Sequence, residues 1–133
     1  MSDLSDRIKN EMYVSAESLL DEEFDRAKHL FELYEDNSVA LSPKYSDINP
    51  EEQILIHLIA HQYMARAEEI ESPALPYEYF YERIDAGDST IRKYFGNFVD
   101  EGIVQKTEDG DRELVVERLR EVLARLEETQ DSE

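Results

Sequence analysis

Arg92 and Lys93 are the only adjacent basic pair in a chain that holds 33 Asp and Glu against 14 Lys and Arg. Ser89, Thr90 and Asn97 stand close by. Hydroxyls at the start of a helix can bond phosphates or base edges, and the free backbone N–H groups there favour phosphate. An Arg can reach guanine, and an Asn adenine. In so acidic a protein, a basic pair at this spot points to nucleic-acid contact. The alternative is structural, with Arg92 and Lys93 paired to Asp88 or to nearby Glu.

Other constellations carry less. His57 and His61 are four apart on one helix face, a spacing that can chelate a metal. Between them stand Leu58-Ile59-Ala60, without the Glu that a zinc-hydrolase helix places second. Cys is absent and His29 is distant in sequence, so both are expected as core or half-buried histidines, with no metal and no other cofactor. Signals for a serine nucleophile or a glycine-rich phosphate loop are missing. Carboxylates are too numerous to single out an acid–base pair, and no enzyme is expected. Tyr77, Tyr79 and Tyr81 alternate, but on a helix only Tyr77 and Tyr81 share a face, which fits packing better than base stacking.

The composition sets the class. The chain has 133 residues, a formal net charge of -19, 41% hydrophobic residues, no Cys and no Trp. That suffices for a buried core without disulfides. The acidic excess runs through the whole length, yet the apolar residues fall in periodic blocks, so the chain is expected to fold rather than stay disordered. No apolar run reaches about 18 residues and no basic segment precedes an apolar one, so neither a membrane helix nor a signal peptide is predicted, and the location expected is cytoplasmic. Abundant acids, few Lys and no Cys suit a salt-in halophile. In roughly molar salt the Debye length is about 3 Å, and inorganic cations at the acidic surface make the self-repulsion tolerable.

The elements that must position the basic pair follow from periodicity. Ser15 reads as a helix cap, and Leu20, Phe24, Ala27, Phe31 and Tyr34 at spacings of 4, 3, 4 and 3 predict one helix over about 15–36. An extended link follows to Ile48. Asn49-Pro50-Glu51-Glu52 starts a helix to about Ile70, with Asn49 as its cap and an apolar surface nearly all round. A short helix spans Tyr77–Ile84. The turn Asp85-Ala86-Gly87-Asp88 gives Gly87 freedom for a positive φ. The next helix, Ser89 to about Asp100, buries Ile91, Phe95, Phe98 and Val99, leaves Ser89, Thr90, Arg92, Lys93 and Asn97 outward, and stops at Gly102. Ile103–Lys106 and Arg112–Val115 flank an Asp109-Gly110 turn, a hairpin signal. A last helix over about 115–128 carries Val115, Leu119, Val122 and Leu126.

The run Asp88-Ser-Thr-Ile-Arg-Lys-Tyr-Phe-Gly-Asn-Phe-Val-Asp-Glu-Gly-Ile-Val104 resembles the recognition helix and hairpin start of bacterial and archaeal winged-helix regulators. Ile91, Phe95 and Phe98 take the apolar positions, and Gly102-Ile103-Val104 matches the helix exit. The likeness covers about residues 50 to 115. It implies a mostly α protein, a winged helix-turn-helix with flanking N- and C-terminal helices. The divisions are an N-terminal helical extension over 1–48, the winged domain over 49–115, and a C-terminal helix with a polar tail over 116–133. It implies a sequence-specific DNA-binding transcription regulator, here of a halophilic archaeon, with double-stranded DNA as partner. Ser89, Thr90, Arg92, Lys93 and Asn97 would read the major groove, while Lys106 and Arg112, beside the hairpin tip, would hold phosphates. Asp88, Asp100, Glu101, Glu108, Asp109 and Asp111 stand near that face and would repel DNA. The alternative is a non-enzymatic winged-helix protein-interaction module. The two helical seams outside the winged domain need a cover, and a homodimer is expected.

Overall fold

The computed structural model describes residues 2–12 and 15–131 and is mostly helical, with two small antiparallel hairpins. α1 (Ser2–Arg7) runs on into a wider π-helical turn, Ile8–Met12. Ser15 caps α2 (Ala16–Glu22), its Oγ accepting from the Ser18 N–H at 3.0 Å.

The single helix expected over 15–36 does not form. α2 ends at Glu23, α3 (Phe24–Ala27) adds one turn, and β1 (Phe31–Leu33) pairs with β2 (Val39–Leu41) in the register Phe31↔Leu41, Leu33↔Val39. The connecting turn explains the difference. Asn37 takes a left-handed φ of 66°, and the Asp36 carboxylate accepts from the Ser38 N–H at 3.0 Å and the Ser38 hydroxyl at 2.6 Å. Such local bonds from Asp, Asn and Ser compete with a helix and hold a turn. Leu20, Ala27 and Phe31 still reach the core, whereas Phe24 and Tyr34 are 51% and 52% exposed.

Pro50 opens α4 (Pro50–Arg66), with Glu51 and Glu52 behind it at the positive end of the helix dipole. Asn49 makes no side-chain cap bond. Gln53 instead reaches back, its Nε2 donating to the Ile48 carbonyl at 2.9 Å. Every residue from Ile54 to Gln62 is buried, so α4 is covered on all sides. The β1–β2 hairpin and the C-terminal elements pack around it. Tyr63 donates to the Leu20 carbonyl at 2.6 Å, and Gln62 to the Leu114 carbonyl at 2.8 Å.

α5 (Tyr77–Tyr81) and α6 (Asp88–Glu101) follow, then β3 (Val104–Lys106) and β4 (Arg112–Leu114), a 3-10 turn at Val116–Arg118, and α7 (Leu119–Asp131). Gly87 is the extended residue before α6, with φ -67°, and needs no positive φ. Positive φ occurs where α6 stops, at Gly102 (79°), and in the hairpin turn, at Gly110 (89°). The Ile103 N–H bonds the Phe98 carbonyl at 3.0 Å, closing the helix end. The second hairpin pairs Val104↔Leu114, Gln105↔Glu113 and Lys106↔Arg112. Leu75 joins its outer strand, exchanging two backbone bonds with Arg112 at 2.8 and 2.9 Å.

One buried cluster runs from Leu19 to Leu126 and includes Ile91, Phe95 and Phe98. Val99, expected inside, is 43% exposed, because the stripe Ile91/Phe95/Phe98 already fills the narrow face α6 turns to the core. Leu119, Val122 and Leu126 are buried in the same cluster. The C-terminal seam is therefore covered by its own chain and supplies no reason for a second copy.

Candidate nucleic-acid interface

α6 is held by its apolar stripe. Ile91, Phe95 and Phe98 are at most 1% exposed, and the Phe95 ring packs edge-on against Phe80 and Phe98 at 5.0 and 6.0 Å. Helix geometry then decides the opposite face. Ser89, Arg92, Lys93 and Asn97 are exposed, and Thr90 is half-buried. Ser89, Lys93 and Asn97 lie four apart and form one outward row. Gly96 is exposed within the same surface, and a methyl group there would meet no atom within 4 Å.

The hairpin brings in the other two expected residues. Lys106 is exposed and Arg112 half-buried. They are directly opposed across the ladder, so their side chains share one face of the hairpin. Like charges placed so are unfavourable in isolation. The Arg112 guanidinium stacks 3.9 Å over the Tyr77 ring and donates to the Gly110 carbonyl. Tyr77 in turn stacks on Tyr81 with ring centres 6.2 Å apart and planes 18° apart, and the Tyr81 hydroxyl accepts from Arg92 Nη1 at 2.8 Å. A chain of contacts thus links the hairpin to α6 across α5.

Sequence reasoning assigned Tyr77 and Tyr81 to packing only and passed over Gly96. The third tyrosine behaves differently. Tyr79 faces α4, its hydroxyl 2.9 Å from His57 Nδ1 and its ring edge-on to His57 and His61 at 5.4 and 5.0 Å. His61 Nδ1 lies 2.8 Å from the His57 carbonyl and so donates to it. Burial, then the neighbouring His61 and Arg83, pulls His57 down to about 4. Burial lowers His61 as well and pushes Tyr79 up to about 12. These histidines are neutral, buried wall. Among the described residues, no three His, Asp or Glu side chains converge where a metal ion could be held.

Six of the other basic side chains are held by acids, whereas Lys9, Lys44 and Arg66 have no carboxylate within 4.0 Å among the described residues. Arg26 bonds Glu23 and Glu127 at 2.7 Å, Arg118 bonds Glu121 at 2.7 Å, and Arg120 bonds Glu22 and Glu23. Arg125 reaches Glu51, Glu52 and Glu101. Among the described residues, Arg92, Lys93, Lys106 and Arg112 have no carboxylate within 4.0 Å; each of Arg26, Lys28, Arg83, Arg118, Arg120 and Arg125 has one or more. Of the nearby acids, Asp88, Asp100, Glu108 and Asp109 are exposed and Asp111 is half-buried.

Comparison with known proteins finds no family model, curated protein or solved structure that matches the chain. Among the described residues, no helix is long and apolar enough to cross a membrane.

Proposed function

We propose that residues 49–115 form a winged helix-turn-helix and that the protein is a sequence-specific DNA-binding transcription regulator of a halophilic archaeon. α6 enters the major groove with Ser89, Arg92, Lys93 and Asn97, and the β3–β4 hairpin lies on the backbone with Lys106 and Arg112. The observation that carries this reading is the linked set of basic side chains, in which Arg112 of the hairpin and Arg92 of α6 are joined through Tyr77 and Tyr81. Those on α6 and the hairpin hold no carboxylate among the described residues, although acids surround them, and Lys106 and Arg112 are set against each other. Arg112 has a partial folded-state return in the Tyr77 ring and the Gly110 carbonyl, but like charges set together without a carboxylate break a local rule, and that marks a candidate functional surface. Polyanion binding supplies the return, since phosphates take the place of the missing carboxylates. A protein-interaction module with Arg92 and Lys93 tied to Asp88 or to Glu fits these contacts less well.

Homodimerisation belongs to the same reading, now resting on the exposed Phe24, Leu33 and Tyr34 instead of on the helical seams. Two copies of α6 about one DNA turn apart double the contacts. Genomic binding of the tagged protein in its host tests the function. Discrete peaks that share a motif are expected; co-purification of one protein without DNA would overturn it. Light scattering in molar KCl should give twice 15.6 kDa, and a 15.6 kDa species at tens of micromolar removes the dimer.

A further inference from the structure

α5 has only the five residues Tyr77–Tyr81, and a tyrosine stands at each end. Tyr77 is fixed from beneath, its ring edge-on to Phe95 at 5.5 Å, and Phe95 is 1% exposed. Tyr81 stacks on Tyr77, and its hydroxyl accepts from Arg92. Packing does not require that hydroxyl. Tyr81 is half-buried, and a phenylalanine ring would make the same stack.

Arg92 gains something specific. A guanidinium has five N–H donors in a rigid plane, and the bond to Tyr81 is the one side-chain hydrogen bond of Arg92 among the described residues. The side chain is held yet retains donors for an acceptor with two oxygens or with an oxygen and a nitrogen. A long side chain gives up rotamer freedom when it docks, and restraint beforehand removes part of that cost. The Tyr81 hydroxyl, as acceptor, also keeps its own proton to donate.

We propose that Tyr81 is a positioning residue for Arg92: its hydroxyl aims the guanidinium before DNA arrives and so sets base preference at one position. The proposal rests on the DNA-binding reading. It is tested by selection from a random-sequence duplex library in molar KCl with the wild type, Tyr81→Phe and Arg92→Ala. Tyr81→Phe should melt with the wild type, bind about three- to tenfold more weakly, and relax base preference at the position that Arg92→Ala relaxes. An independent reading is the NMR order parameter of the Arg92 Nε–H, which should fall in Tyr81→Phe without any DNA present. Full base preference in Tyr81→Phe at that position, an unchanged order parameter, or a lowered melting temperature each overturns the proposal. A wild type that enriches no motif sinks the DNA-binding reading, and this inference with it; an unchanged order parameter sinks this inference alone.

Discussion

Arg125 and Arg92 belong to the same fold and have opposite surroundings. Arg125, on α7, is gripped by Glu51, Glu52 and Glu101, and so ties together α4, α6 and α7. Arg26 likewise ties α3 to α7. Its bonds to Glu127 and Glu23 raise the guanidinium further above its ordinary range, and the same contact holds the Glu127 carboxyl below the usual carboxylate range. Arg92 and Arg112 rest instead on tyrosines. In a chain of net charge -19, acids are available to every cation, so leaving four uncaged on one surface is a choice of geometry. The α7 side uses its cations to tie elements together, and the α6 side leaves them without carboxylates.

The largest effect comes from the support under the α6 side. Phe95→Ala should cost about 3–5 kcal/mol in denaturant unfolding, whereas Asn97→Ala, exposed on the same helix, should cost little. Equal melting temperatures would refute the phase of α6. The α7 side comes next. Arg125→Ala strands Glu52, which is 6% exposed and whose Oε2 already has no partner, and should cost about 3 kcal/mol. Arg92→Ala should stay within about 0.5 kcal/mol by the same measurement.

A loss of similar size is expected from pH, at the wall between the two regions. The unfolded chain takes a proton at His57 near pH 6.5, while the folded chain resists until about 4. The unfolded state therefore binds more protons in that window. Stability is full above pH 6.5 and falls by about 3 kcal/mol as pH drops toward 4. His57→Leu lacks this term and should lose less over the same range; parallel losses would exclude it.

Binding sharpens the contrast in the other direction. Arg92→Ala should lower specific affinity by about 1–3 kcal/mol and relax one base position, and Lys106→Ala should weaken all sequences alike. Arg120→Ala, on the caged side, should leave DNA affinity unchanged. Gly96→Ala is a smaller effect with two signs. It should raise stability by about 0.5–1 kcal/mol, since glycine inside a helix is costly and the site is open. It should weaken DNA binding if α6 approaches the groove there. The smallest effect expected is none. Carboxylates near phosphates recruit cations, so DNA affinity of the folded protein should stay flat or rise from about 0.5 to 2 M KCl. A steep fall over that range would show that the uncaged cations release counterions in the ordinary way.

The legible parts of the fold were those with a period and a stop signal. α6, Gly102, the Asp109-Gly110 hairpin and α7 were readable because spacing and turn chemistry agreed there. The outward placement of Arg92, Lys93 and Asn97 followed from the phase of Ile91, Phe95 and Phe98 alone. Over 15–48 the two signals disagreed. Phe24, Ala27 and Phe31 fit a helix by spacing, and only the local bonds of Asp36, Asn37 and Ser38 reveal the turn that makes a hairpin of the segment. Contacts between elements were out of reach. Nothing in the spacing of Tyr77 and Tyr81 says that one ring receives Arg112 and the other Arg92, because both contacts depend on how α5 docks.

The covered helix α4 has a consequence for synthesis. Its Gln62 is satisfied by the Leu114 carbonyl, 52 residues later, and α7, which also packs on it, comes later still in the chain. While the ribosome still holds the hairpin and α7, the apolar run Ile54–Ala60 is already outside without its cover. Folding of this half of the protein therefore waits until α7 has emerged. A nascent chain stalled before Leu119 should be protease-sensitive and prone to recruit chaperones, and emergence of α7 should end that exposure in one step.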